Sequence, residues 1–148
     1  MKKIKTVLTA IVMLLSVSSF ATDPAKVSPV VKAAFENDFA NASAVYWEKT
    51  DDFYFATFLL NDEKIDAAYT EDGELLGTAR KIATTQMPLS ISLAVAEKYK
   101  DYKVNDTVTE LTYASVTRYY VTVTNDKQSI RLKCLANGDM EVESRTKK

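Results

Sequence analysis

Between Phe53 and Arg80 apolar and polar positions alternate with the two-residue period of β-strands, interrupted twice by turn residues. The pattern predicts three short strands, over residues 53–60, 64–70 and 74–82. Asn61-Asp62-Glu63 joins the first pair and Glu71-Asp72-Gly73 the second, where the Asp-Gly step favours a tight turn because glycine accepts a positive φ. The same pattern returns 65 positions later without a gap. Tyr54 falls on Tyr119, Thr57 on Thr122, Ile65 on Ile130, Gly73 on Gly138 and Arg80 on Arg145, and both turns fall on turns. A duplicated module is the expectation, against the alternative of two unrelated meanders.

Each meander is preceded by a helical pattern. Ser28-Pro29 opens the first, with serine as N-cap and proline at the first helical position. Val31, Phe35 and Phe39 form its apolar stripe, which fades near Asn41. Residues 44–48 read as a strand, and a four-residue loop would set Trp47 opposite Tyr54. Pro88 starts the second helix, striped by Ile91, Val95, Tyr99 and Tyr102. One long strand over 103–113 follows, then strands over 118–124, 128–136 and 139–145, with residues 146–148 frayed. The fold class expected is α+β: a tandem repeat of a helix plus a four-stranded antiparallel meander, helices on one sheet face.

The first 21 residues stand apart. Lys2, Lys3 and Lys5 precede an apolar run, and Ser19-Phe20-Ala21 supplies small residues at a cleavage site, the pattern of a secretory signal peptide. The run is too short to favour a membrane span. Residues 22–148 then form one domain with halves 28–82 and 88–146, and a periplasmic or secreted location with no stable membrane insertion is expected. That leader holds three lysines and no acid, so the remaining chain carries 16 Lys+Arg against 20 Asp+Glu. Such a balance lacks the basic footprint of a nucleic-acid binder. Cys134 is the single cysteine, which excludes an intramolecular disulfide, and its alternation with Ile130, Leu132 and Ala136 predicts a buried thiol.

Candidate chemistry is sparse. With no histidine, the usual nucleophile triads and the commonest transition-metal ligand are missing. Three glycines make no phosphate loop, and Asp62-Glu63 with Asp66 do not build a calcium loop. Asp51-Asp52 and Glu71-Asp72 fall in turns. No enzyme activity, cofactor or metal site is expected.

What remains is the sheet face opposite the helices. Alternation assigns Phe53, Phe55, Leu59, Leu76 and Arg80 to it in the first half, and Arg118, Tyr120 and Arg131 in the second. One half is apolar and the other charged. Internal covering, self-association as a homodimer and a foreign partner are the three readings of such a patch.

Val45-x-Trp47, Tyr54-x-x-x-Phe58, Tyr69-x-x-x-Gly73 with Leu75, and Pro88 leading to Tyr99 resemble exported bacterial proteins of the PepSY-like, or β-lactamase-inhibitor-like (BLIP-like), family. The resemblance spans residues 28–142. It implies strands in one curved sheet with an open face that, in inhibitory relatives, grips a partner enzyme. This chain departs from the inhibitors by having no disulfide, and it carries no recognisable inhibitory loop. The resulting expectation is a non-enzymatic envelope protein that binds a protein or peptide. Phe53, Phe55, Leu59 and Leu76 would anchor it, Tyr120 would be an aromatic shoulder, and Arg80, Arg118 and Arg131 would orient charges. An inhibitor or regulator of a secreted hydrolase, and a binder of a small molecule or envelope polymer, are the alternatives.

Overall fold

The computed structural model describes residues 26–148. The expected signal peptide lies outside the described residues. The order of elements is α1 (Pro29–Asp38), β1 (Ser43–Lys49), β2 (Phe53–Leu60), β3 (Glu63–Thr70), β4 (Leu75–Ala83), a 3-10 turn (Thr84–Gln86), α2 (Leu89–Lys98), β5 (Lys103–Val104), β6 (Thr107–Tyr113), β7 (Val116–Thr124), β8 (Gln128–Leu135) and β9 (Met140–Lys147). The chain divides after Arg80 into two compact units.

In the first unit β1, β2 and β3 pair as antiparallel neighbours, and β3 pairs with β4. Trp47 stands opposite Ala56 and Lys49 opposite Tyr54, so the register is shifted by two residues from the expected one and Trp47 keeps its face. Val31 and Phe35 of α1 pack on Trp47, Tyr54, Ala56, Phe58, Ala67 and Tyr69. Phe35 meets Trp47 and Phe58 edge-on, with ring centroids 5.2 and 4.9 Å apart, the geometry that ring quadrupoles favour. The Tyr69 hydroxyl donates to Asp38 Oδ2 at 2.9 Å and ties the sheet to the end of α1. Proline occupies the first helical position, but Ser28 makes no side-chain cap.

The second unit seats Ile91 and Val95 of α2 on Val108, Val121, Val123, Ile130, Leu132 and Cys134. The floor is aliphatic here, with Tyr119 and the half-buried Tyr99 and Tyr102 at its margin. Gly138 turns the chain at φ +96°, and a Cβ there would sit 3.0 Å from the Ser90 carbonyl oxygen at the start of α2. Only glycine combines that φ with that approach.

This arrangement overturns the expected tandem helix-plus-four-strand repeat. The described residues form nine antiparallel strands and two ten-residue helices, and five of those strands follow α2. The strand predicted over 103–113 is broken at Asn105-Asp106. Lys103 and Val104 pair with Thr124 and Val123, whereas Thr109 pairs with Tyr120, two residues out of step. The carbonyls at the break are taken from outside the ladder: Thr84 donates its backbone N–H to Asp106 O and its hydroxyl to Asn105 O. The bulges differ too. Leu76 is the extra residue between the Tyr69–Leu75 and Ala68–Gly77 pairs, while Glu143 is extra between Leu132–Val142 and Arg131–Ser144. Residues 146 and 147 are paired rather than frayed, with Thr146 opposite Ser129 and Lys147 opposite Gln128.

Cys134 is fully buried, and burial pushes its thiol up to about 11. Tyr69 is likewise raised, first by burial and then by its bond to Asp38.

Phe58→Ala should cost about 3–5 kcal/mol, because Phe58 is nearly inaccessible and contacts two helix aromatics. Gly138→Ala should cost about 1–3 kcal/mol through backbone strain and the clash with Ser90. Urea unfolding midpoints check both. A thiol reagent at pH 8 should leave native Cys134 unlabelled and label it fully in urea. Since Cys134 and Tyr69 both have raised folded values, their stabilising contribution is complete below their ordinary 9–10 and declines above it, that of Cys134 being lost as the pH climbs through about 11 and that of Tyr69 higher still. The urea midpoint should therefore fall over that alkaline window.

Candidate partner-binding face

Strand parity, counted through the bulges, decides which side chains face away from the helices. In the first unit Tyr46 is opposite Thr57, and Thr57 opposite Asp66, so these residues share that face. Phe55 and Ala68 form another outward pair, opposite Gly77 on β4. The Thr57 hydroxyl donates to Asp66 Oδ1 at 2.5 Å, which satisfies part of a buried carboxylate.

Six of the eight residues expected on this face stand where alternation put them. Phe53 is half-buried and Leu59 is 37% exposed, both outward on β2. Arg118, Tyr120 and Arg131 are outward on β7 and β8, opposite Leu135, Lys133 and Thr122. Phe55 is on the face too, but only 3% exposed. It serves as packing in this state rather than as a free anchor. Tyr120 is similarly closed at 4%.

Leu76 and Arg80 depart from the expectation. Leu76 is the bulged residue of β4 and has no Cα partner across β3. The extra residue reverses parity beyond it, so Arg80 lies opposite Ile65, on the side that α1 covers. There it pairs with Glu63, Nη1 to Oε2 at 2.8 Å. A one-residue insertion in a ladder moves every later side chain to the other face, and alternation alone does not contain it.

In the second unit the outward face is charged, and most charges are matched. Lys133 Nζ donates to Glu141 Oε1 at 2.6 Å, and that bond holds the Glu141 carboxyl below its ordinary value. Arg131 Nε lies 2.8 Å from Glu143 Oε2, an ion pair whose N–H is not aligned for a hydrogen bond. The same guanidinium sits 5.0 Å from the Tyr120 ring centre, a cation–π stack. Tyr120 is raised by burial first and then by Glu143, with Arg118 and Arg131 pulling the other way.

Arg118 differs from these neighbours. No carboxylate among the described residues pairs with it, and its Nη1 is buried without a hydrogen-bond partner. It borders an open groove of about 390 Å³, walled by Val116, Leu135 and Met140. Val116 and Leu135 are 42% and 38% exposed, and Tyr46 in the first unit is 63% exposed. Sequence reasoning did not single out any of these three, although the parity of Leu135 with Arg131 and Lys133 would have placed it.

Among the described residues no cluster of three or more potential metal ligands occurs. The one thiol is sealed in the core. No helix among them is long and apolar enough to cross a membrane.

No protein-family model and no curated protein matches this chain. Solved structures do. A BLIP-like protein from Bacteroides fragilis superposes with a TM-score of 0.66 at 22% identity, covering 81% of this chain and 85% of its own. A DUF2874 family protein from Bacteroides ovatus gives 0.69 at 18% identity, over 86% and 89% of the two chains. A Bacteroides eggerthii protein, described provisionally as periplasmic, gives 0.68 at 19% identity, over 87% and 90%. Across most of its length this chain shares the fold of BLIP-like and DUF2874 proteins.

Proposed function

We propose that the protein is a non-enzymatic component of the cell envelope that binds a protein or peptide through strand faces turned away from the helix within its units. The observation that carries this reading is the set of large apolar side chains left open there: Tyr46 and Leu59 in one unit, Val116 and Leu135 in the other. Apolar groups rimmed by charge are the surface type that protein partners bury. A periplasmic or secreted location fits the expected leader peptide and the provisional description of one structural neighbour. Membership in the PepSY-like family is part of the proposal, resting on the Val45-x-Trp47 and Tyr69-x-x-x-Gly73 patterns.

Inhibition of a secreted hydrolase is the second reading, favoured by the fold shared with a BLIP-like protein. Residual activity in a panel of β-lactamases and proteases tests it, and unchanged rates throughout the panel remove it.

A Tyr46→Ser/Leu59→Ser variant should keep its unfolding free energy in urea within about 2 kcal/mol of the parent, since Tyr46 is mostly solvated and Leu59 is 37% exposed. It should also lose envelope proteins retained by the immobilised parent chain. An identical set of retained proteins would remove the face from the reading.

A further inference from the structure

We propose that the groove around Arg118 docks an extended peptide segment carrying one acidic side chain beside one bulky apolar side chain. This assignment rests on the reading of the outward face as a protein-binding surface and names the chemistry of its occupant.

Arg131 and Lys133 each have a carboxylate within 2.8 Å, supplied by Glu143 and Glu141. Arg118 has none among the described residues, and its Nη1 is buried without an acceptor. A donor left in that state gains from an incoming acceptor, because desolvation of the group has already taken place. Guanidinium presents a planar fork that a single carboxylate matches with two parallel hydrogen bonds.

The walls set the rest of the specificity. Val116 and Leu135 flank Arg118, with Leu135 directly across the β7–β8 ladder, and both keep more than a third of their surface in water. Met140, opposite Cys134 and packed toward the α2 core, lines the edge of the groove. About 390 Å³ accommodates one or two side chains, within the range of ordinary binding clefts. Opposite charge is also present: Asp139 lines the groove, its Oδ2 accepting from Asn137 Nδ2, and so does Glu141. A run of acids or a phosphate chain would meet those two carboxylates. One acid aimed at Arg118 would not. The groove therefore selects a single carboxylate next to an apolar residue over a polyanion.

A phage-displayed library of random nine-residue linear peptides, selected on the immobilised full chain, tests the proposal. Enriched peptides should carry one Asp or Glu adjacent to Leu, Ile, Met or Phe. A fluorescein-labelled copy of the best of them should lose about tenfold or more in affinity when its acid becomes the amide, and similarly against Arg118→Gln. Val116→Asp, on the solvated rim, should weaken the same probe by placing a third carboxylate in the groove. Enrichment without an acid, or binding of the probe within twofold by Arg118→Gln folded to the parent urea midpoint, would overturn the assignment. Peptides lost on Tyr46→Ser/Leu59→Ser but kept on Arg118→Gln would overturn it while leaving the protein-binding face standing. Equal affinity for a triglutamate version would overturn the selection against polyanions.

Discussion

A ten-residue helix has too few internal hydrogen bonds to persist in water, so α1 and α2 exist only where a sheet supplies an apolar floor beneath them. Val31 and Phe35 find an aromatic floor of Trp47, Tyr54, Phe58 and Tyr69, while Ile91 and Val95 find a mostly aliphatic one. In each unit this burial consumes one face of the strands. It also dictates where glycine is indispensable: Gly73 closes against Val30 and Gly138 against Ser90, both at positive φ and both at contact distance. The rest of each unit follows from helix and strand edges being drawn that close.

Because one face is committed to the helix, the other is where chemistry between molecules can occur, and the bulges decide its membership. Leu76 re-aims β4, which sends Arg80 to the helix side and into its pair with Glu63. Glu143 re-aims β9 in the other unit and stays within 2.8 Å of Arg131. Exposed ion pairs of this kind contribute little to stability, on the order of 0–1 kcal/mol each. On the outward face the second pair sets a carboxylate beside Arg131, whereas Arg118 has none among the described residues.

The fold shared with BLIP-like and DUF2874 proteins says how the strands are laid out and nothing of which partner they meet. At identities of 18–22% the likeness shows the fold alone. The proposed binding role therefore rests on the side chains turned away from the helices, where Tyr46, Leu59, Val116 and Leu135 keep more than a third of their surface in water.

Much was legible in the chain itself. Two-residue alternation located β2, β3, β7 and β8 to within two residues at each end, and the four-residue stripe of Val31 and Phe35 located α1, because burial on one side leaves a period in the sequence. The turn at Asp72-Gly73 and the sealed Cys134 were legible for the same local reasons. Three features were not. The break between β5 and β6 depends on Thr84, which reaches Asn105 and Asp106 from more than twenty residues away. Bulges at Leu76 and Glu143 insert one residue without any compositional mark. Phe55 and Tyr120, outward by parity, are buried nonetheless. Periodicity thus determined which residues can share a face, since that follows from backbone geometry alone. Tertiary structure decided which of them are open to a partner, since exposure depends on what the remainder of the chain brings alongside.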